Sequence, residues 1–460
     1  MTGSRVEWIV STEDAPWRRE TGAAFGSTQT PIPSVFVESD RPAQRIEGFG
    51  AAFSELGWLA LGRLSDTDRA EVLRTLFAPG VGAGLVIGRT PIGASDFARS
   101  WYSYDEVDGD LALDAFSVEN DLDTLVPFIR AASAVRPDLR VWASPWSPPA
   151  WMKTNGHYAA TRPAPGSFQT ENGLREDQRG SEGTDMIRLE EDVLDAYARY
   201  FGRYIDAYAE QGIAVGMVMP QNEFNSTQVF PSCTWTPEGL ARFVRHLAPQ
   251  MRSRGVEVFL GTLERGDSGL IDRMLEDEVV RDAVTGVGVQ WAGRDAAPLL
   301  HRDHPGLRIY QTEQECGDGR NDWRFARHAW ALLRHYLAHG AHAYCYWNIA
   351  LEEPGVSTWG WPQNSLVSVN ATSGTYRLTP DYYVLAHASH FVQVEAVVLP
   401  TYSLTGYDDA IAFRNPDGST VVVMHNPLSR EDSISVDLGG ATMTATLPAG
   451  SFNTFLVRAE

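Results

Sequence analysis

Eight short apolar segments recur between Ile46 and Trp347, and most are followed by a stretch with helical periodicity. Strand and helix patterns that alternate at this spacing are typical of βα units. The predicted strands are Ile46–Phe53, Gly84–Ile92, Leu139–Pro145, Val215–Pro220, Val256–Thr262, Val287–Trp291, Leu307–Thr312 and His342–Trp347. Eight strands in this order favour a closed parallel (β/α)8 TIM barrel, of the α/β class, over an open sheet.

The composition changes near the C-terminus. Val394–Glu460 is rich in Val, Thr, Ser and Gly and contains the turn signal Asn415–Gly418, which predicts antiparallel hairpins. This stretch of about 70 residues is too short for a full sandwich, since an immunoglobulin-type one needs about 100. We therefore predict an antiparallel β-sandwich side domain built from residues 1–45 and 392–460, joined to a barrel over residues 46–391.

Charge and apolar patterning narrow the classes of partner. The net charge of -21 would repel nucleic acid and anionic membranes, so we predict neither as a main partner. No run of eighteen apolar residues is present, which predicts no membrane-spanning segment. The N-terminus lacks the apolar region of a signal peptide, so we predict a cytoplasmic protein, or a secreted one if a leader has been removed. The oligomeric state stays open.

Cysteine usage bears on metals and disulfides. Cys233, Cys316 and Cys345 give an odd count without CxxC spacing. Three thiols are too few for a disulfide framework or a thiolate zinc site. We therefore predict no metal.

Two glutamates stand at predicted strand ends. Glu223 follows the fourth strand in a Gln-Asn-Glu sequence, and Glu313 follows the seventh. These strands lie on opposite sides of an eight-stranded barrel, and such folds place their chemistry at the C-terminal strand ends. A protonated and an ionised carboxyl facing each other are what cleavage of a glycosidic bond requires. A single glutamate after a strand is also often a structural ion-pair partner. The residues around each glutamate therefore decide between a catalytic and a structural role.

The sequence segments around the two glutamates, and others along the chain, resemble those of glycoside hydrolase family 30. Ala143–Gly156, which reads ASPWSPPAWMKTNG, is similar to the family's longest signature. Other matching segments are Arg89–Phe97, Tyr102–Tyr104, Gln221–Glu223, Phe230–Thr236, Tyr346–Leu351 and Asp381–Val392. The family includes glucosylceramidases, β-glucosidases, β-1,6-glucanases and β-xylosidases. The resemblance implies a barrel fused to a β side domain and a retaining mechanism without cofactor.

The resemblance also implies individual roles. Glu223 would be the general acid/base and Glu313 the nucleophile, with Asn222 donating to the sugar 2-hydroxyl. Arg89 would lie beneath Glu313 and favour its ionised form, since a neighbouring cation lowers a carboxyl pKa. The remaining implied sugar contacts are Asp96 and Trp146 for hydroxyls, Trp347 as the floor, and Trp291 and Asn364 at the rim. Core packing for each Trp, and a plain core ion pair for Arg89, are the competing interpretations.

The nucleophile segment departs from the family pattern. Many relatives have one Glu before the cysteine, whereas here Glu313 and Glu315 both precede Cys316. We favour Glu313 because it directly follows the strand, while Glu315 already lies in the turn. Glu315 stays the alternative nucleophile.

The functional prediction is a retaining β-glycoside hydrolase acting on β-glucosides or closely related sugars. The alternatives are β-xylosidase or β-fucosidase activity and, in a different class, a non-catalytic carbohydrate-binding protein on the same scaffold. Such a protein would lose a carboxylate, and both glutamates are present here. The sugar, the aglycone and exo or endo action are not predicted.

Overall fold

A closed barrel of eight parallel strands forms the centre of the molecule. The computed structural model describes residues 5–26 and 32–458. The barrel strands, first to eighth, are Gly48–Ala52, Ile87–Pro91, Arg140–Ser144, Val215–Val218, Glu257–Leu263, Gly286–Gln290, Arg308–Glu313 and Ala341–Asn348. Each predicted strand overlaps one of them, so the predicted (β/α)8 fold is confirmed.

Helices surround the barrel. They span Glu55–Leu61, Asp66–Phe77, Leu125–Val135, Glu191–Glu210, Pro237–Arg252, Gly269–Leu275, Glu278–Ala283, Ala297–Asp303, Trp323–Ala338 and Pro380–Ser389. Side-chain caps start several of them: the Gly239 N–H donates to Thr236 Oγ1 at 2.9 Å, with Pro237 at the first helical position. None of the helices in the described ranges combines the length and the apolar character needed to cross a bilayer.

The side domain consists of two packed sheets. The six-stranded sheet contains, in spatial order, Val397–Leu399, Ala410–Arg414, Thr420–Asn426, Ser451–Arg458, Arg5–Ser11 and Arg18–Glu20. The five-stranded sheet contains Thr401–Tyr402, Val35–Val37, Asp432–Asp437, Thr442–Leu447 and Ala24–Phe25. Strands from both ends of the chain therefore share each sheet, which confirms the predicted sandwich of N- and C-terminal segments. The residue boundaries of the domains stay a prediction.

Two further parts of the chain, a small sheet and a long loop, lie outside the eight barrel strands and the sandwich. A three-stranded sheet of Ala350–Glu352, Val367–Asn370 and Thr375–Leu378 was not predicted. Residues 162–186, between the third and fourth barrel strands, contain only the short 3-10 helix Glu176–Gln178.

A buried histidine joins the barrel to the side domain. His387 lies on the last helix, and its ring nitrogens contact Thr454 Oγ1 at 2.8 Å and Ser11 Oγ at 2.9 Å. Both hydroxyls belong to strands of the six-stranded sheet. Burial lowers the pKa of His387 from its ordinary 6.5 to about 3. The ring is therefore neutral when the protein is folded.

Replacing His387 by Gln is expected to flatten the acid dependence of stability. The unfolded chain gains a proton here near pH 6.5, whereas the folded chain does not, so stability falls as the pH drops below that value. Between pH 6.5 and 4.5 this difference amounts to about 2 kcal/mol. Urea denaturation of wild type and His387→Gln at both pH values measures it. Equal losses in the two proteins would contradict the assignment.

Candidate active site

A cavity of about 140 Å³ opens at the C-terminal ends of the barrel strands. Its lining residues are Asp96, Trp146, Glu223, Gln228, Phe230, Glu264, Trp291, Glu313, Trp361 and Gln363. Five of the nine predicted site residues are therefore in the wall itself: both glutamates, Asp96, Trp146 and Trp291. The parallel strands bring them together, because residues far apart in sequence end at the same edge of the barrel.

Glu313 is the last residue of the seventh strand and is held by three donors. Arg89 donates to its Oε2 at 2.7 Å and Gln290 Nε2 to the same oxygen at 3.2 Å. Trp291 Nε1 donates to Oε1 at 2.8 Å. Burial raises the pKa of Glu313, and these three contacts oppose the rise. One carboxylate oxygen of Glu313 therefore faces Arg89, and the other faces Trp291.

Arg89 lies fully buried beneath the cavity. Besides Glu313, its guanidinium donates to Asn222 Oδ1 at 2.7 Å and to Ser144 Oγ at 3.1 Å. The rings of Trp142, Trp146 and Trp347 surround it, with centroids 5.0, 4.5 and 5.3 Å from the guanidinium carbon. A buried cation with this many fixed partners orients Glu313 and Asn222 together.

Glu223 lies in the loop after the fourth strand, in a different electrostatic environment. Its backbone has a φ of 47°, and its N–H donates to Thr262 Oγ1 at 2.8 Å. Burial is the main cause that raises the pKa of Glu223 to about 8, followed by the negative charges of Glu313 and Asp96. Arg89 donates to Glu313 and not to Glu223, so its positive charge favours the ionised form of Glu313.

Gln290 connects the two glutamates and was missed by the sequence analysis. It ends the sixth strand, and its Nε2 lies 3.2 Å from Glu223 Oε1, from Glu313 Oε2 and from Asn222 Oδ1. Its Oε1 accepts from Thr312 Oγ1 at 2.9 Å, which fixes the amide. Because both carboxyl oxygens lie 3.2 Å from one nitrogen, they are at most 6.4 Å apart.

Two further predicted residues, Asn222 and Trp347, are not part of the cavity wall but adjoin residues that are. Both of them, and Asp96 in the wall, carry unused polar atoms. Asn222 accepts through Oδ1 only, so within the described residues its Nδ2 donates to no protein acceptor. Asp96 Oδ1 and Trp347 Nε1 are buried without a hydrogen-bond partner among those residues. Trp347 stacks on Trp146 at 5.2 Å. Buried polar atoms without partners are rare, and here they border a cavity that can hold hydroxyl groups.

Asn364 is not brought to the cavity. It is fully buried, its Oδ1 accepts from the Asn321 N–H at 3.0 Å, and its Nδ2 lies 3.4 Å from Asp381 Oδ2. The neighbouring Gln363 lines the cavity in its place. The contacts with Asn321 and Asp381 hold the Asn364 side chain away from the cavity.

Glu315 lies in a separate environment. It forms ion pairs with Arg294 and with His328, the latter at 2.9 Å. Burial acts to raise its pKa, but His328 and Arg294 outweigh burial and hold the pKa of Glu315 below its ordinary value. Its carboxylate therefore contacts Arg294 and His328 rather than Glu223.

The other missed residues are Gln228, Phe230, Glu264, Trp361 and Gln363. Gln228 Nε2 donates to Glu223 Oε2 at 3.1 Å. All five lie in loops, where the strand pattern gives no direction for a side chain. Among the described residues, no three His, Cys, Asp or Glu side chains are grouped so as to hold a metal ion.

Family models match both parts of the chain. The glycosyl hydrolase family 30 TIM-barrel domain matches residues 46–392, and the β-sandwich domain of the same family matches residues 404–455. The chain belongs to glycoside hydrolase family 30. This family 30 protein is therefore a glycosidase, and it hydrolyses β-glycosides.

Individual relatives agree with this membership. Putative glucosylceramidase 1 of Caenorhabditis elegans is 27% identical over 418 residues, 85% of this chain and 75% of that protein. The endo-1,6-β-D-glucanase neg1 of Aspergillus fumigatus is 26% identical over 458 residues, 94% of this chain and 89% of that protein. The crystal structure of SrfJ from Salmonella typhimurium has the same fold, with a TM-score of 0.87 at 22% identity and full coverage of both chains.

Replacing Gln290 by Met is expected to lower kcat/KM of this glycosidase about 100-fold, the usual cost of removing one preorganised donor. Methionine keeps the length of the side chain but cannot donate to either glutamate. Both carboxyls lose a contact that lowers their pKa, so both limbs of the pH–rate profile should move to higher pH. A pH–rate profile of the folded variant measures this. An unmoved profile would leave Gln290 with a packing role alone.

Proposed function

We propose that this protein is a retaining β-glycosidase that cleaves β-glucosidic bonds, with Glu313 as nucleophile and Glu223 as general acid/base. The observation that carries the proposal is the shared contact with Gln290 Nε2, which limits the nearest carboxyl oxygens to 6.4 Å. Retaining enzymes place the two carboxyl groups about 5–5.5 Å apart, and inverting enzymes about 6.5–9.5 Å. Nearest oxygens this close support the shorter separation, that of retaining enzymes.

In the first step, a Glu313 oxygen attacks the anomeric carbon and the bond to the leaving oxygen breaks. Glu223 gives its proton to that oxygen, so the leaving group departs as a neutral alcohol. The raised pKa of Glu223 keeps this proton available at neutral pH. Arg89 and Trp291 hold Glu313 in place, and the unused Nδ2 of Asn222 is available to the sugar 2-hydroxyl.

In the second step, the glycosyl–Glu313 ester is hydrolysed. Glu223, now ionised, takes a proton from a water molecule, and the water oxygen attacks the anomeric carbon as Glu313 leaves. The pKa of Glu223 falls once the negative charge of Glu313 has been consumed in the ester, because that charge helps to raise it. Glu223 can then ionise and act as a base. The two inversions give a product with the original β configuration.

The names of the relatives support β-glucose as the sugar. The matched proteins include a putative glucosylceramidase, which is named for a glucosyl group, and an endo-1,6-β-D-glucanase, which is named for β-linked glucose. β-Xylosidase and β-fucosidase activity differ only at the sugar 6- and 4-positions and remain the alternatives.

A panel of nitrophenyl β-glycosides tests the proposal. We expect the β-glucoside to release nitrophenol fastest, with the β-xyloside and β-fucoside as comparisons. Proton NMR of the first-formed sugar should show the β anomer. A first-formed α anomer would contradict retention, and no turnover of any glycoside would contradict the activity.

A further inference from the structure

The cavity around the glutamates holds only part of a substrate. Its volume of about 140 Å³ lies well below the roughly 300 Å³ at which pockets for larger ligands begin. A ring bound between Glu223 and Glu313 would fill it. The leaving group of any larger substrate must therefore lie outside the cavity, on its rim.

One exposed aromatic side chain stands on that rim. Phe168 is 65% exposed, although it is a large apolar residue. Its ring packs edge-on against Trp361, with centroids 5.7 Å apart and planes at 61°. Trp361 lines the cavity. The pair, called the rim platform below, thus continues the cavity wall outward.

Hydrogen bonds fix the loop that carries Phe168. The Thr170 N–H donates to the Trp359 carbonyl at 3.0 Å, which ties the loop to the segment of Trp361. Asn172, which is 7% exposed, donates through Nδ2 to the carbonyls of Thr161 at 2.7 Å and Val229 at 2.8 Å. The platform is therefore held on two sides.

The same contacts place the platform on the side of Glu223. Val229 follows Gln228, whose side chain donates to Glu223 Oε2. The N–H groups of Ala160 and Thr161 both donate to the Gln228 carbonyl, at 3.0 and 3.1 Å. The loop with Phe168 thus adjoins the segment that contacts the proposed acid, and the acid protonates the leaving oxygen.

We propose that the rim platform binds the leaving group and that this group is a second sugar ring. The proposal rests on the function proposed above. A pyranose presents an apolar C–H face to an aromatic ring and hydroxyls to its surroundings. The residues next to Phe168 in the chain are polar: Ser167, Gln169, Thr170 and Glu171. A lipid chain requires a contiguous apolar patch, which the two rings of the platform beside these polar residues do not supply. The favoured substrates are therefore oligosaccharides rather than lipid glucosides.

Binding to the inactive Glu313→Gln protein tests the platform without turnover. Titration calorimetry compares glucose, a β-1,6-linked glucose disaccharide and octyl β-glucoside, with and without Phe168→Ala. We expect Phe168→Ala to weaken the disaccharide about tenfold, the scale of one aromatic stacking contact, and to leave glucose unchanged. Phe168→Tyr should restore the affinity. Tyr402→Ala removes a 46% exposed aromatic of the side domain and should change nothing.

Kinetics separate this proposal from the activity itself. In the active protein, Phe168→Ala should raise KM for the disaccharide about tenfold and leave turnover of β-glucosyl fluoride unchanged, because fluoride does not reach the platform. A wild type that fails to hydrolyse the fluoride would contradict the proposed function, while the calorimetry still decides the platform. Unchanged disaccharide affinity, or a loss only for octyl glucoside, would overturn the platform.

Discussion

Replacing Glu313 by Gln is expected to lower kcat by at least about 10⁴-fold, as loss of a catalytic nucleophile does. Glutamine keeps the shape of the side chain and its contact with Trp291, but its amide cannot form the glycosyl ester. It also leaves the buried Arg89 without its anionic partner, so circular dichroism must accompany the assay. Steady-state rates on the nitrophenyl β-glucoside measure the loss.

Glu315→Gln is the matched control, two residues further along. Its carboxylate pairs with Arg294 and His328 rather than facing Glu223, so kcat should stay within about threefold of wild type. Covalent labelling by an activated 2-fluoro sugar, read by mass spectrometry, should disappear in Glu313→Gln and persist in Glu315→Gln. The reverse pattern would make Glu315 the nucleophile.

Replacing Glu223 by Gln has the second largest expected effect. Loss of the general acid should lower kcat about 10²- to 10⁴-fold for an alkyl β-glucoside, whose leaving oxygen needs a proton. With a dinitrophenyl leaving group, which departs as an anion, the first step should be nearly unaffected and the ester should accumulate. A pre-steady-state burst of dinitrophenol measures this. Equal losses on both substrates would contradict the acid role.

The wild-type pH profile follows from the same residue. Glu223 must be protonated in the first step, so kcat/KM should fall as the pH rises above about 8, where this carboxyl ionises. The limb should vanish in Glu223→Gln. Its persistence in the variant would assign the limb to another group.

The positions of the two glutamates were predictable, because each follows an apolar strand and lies in a family motif. Gln290 was not, although it occupies the equivalent place on the sixth strand. The predicted strand ran on to Trp291, so Gln290 counted as one of its interior residues. An amide side chain also does not by itself indicate a catalytic site. The role of Gln290 depends on three acceptors that only the closed barrel brings within 3.2 Å.

Loops limited the rest of the prediction. Asn364 was expected at the rim, yet its contacts with Asn321 and Asp381 turn it inward and leave Gln363 at the cavity. Phe168 was not predicted as a site residue, because an isolated aromatic in a polar stretch shows no periodicity. Its position depends on long-range contacts such as that of Asn172 with Val229, which sequence patterns do not encode.

The shared sandwich sets an order of events during synthesis. Trp8 donates to Asn453, 445 positions later, and the strand Arg5–Ser11 pairs along its whole length with Ser451–Arg458. At translation rates of about 5–20 residues per second, the first strand waits roughly 20 to 90 s for its partner. During that wait its apolar side chains and open edge are free to pair with other nascent chains. The strand Arg5–Ser11 can therefore take its place in the sheet only after Ser451–Arg458 has been synthesised.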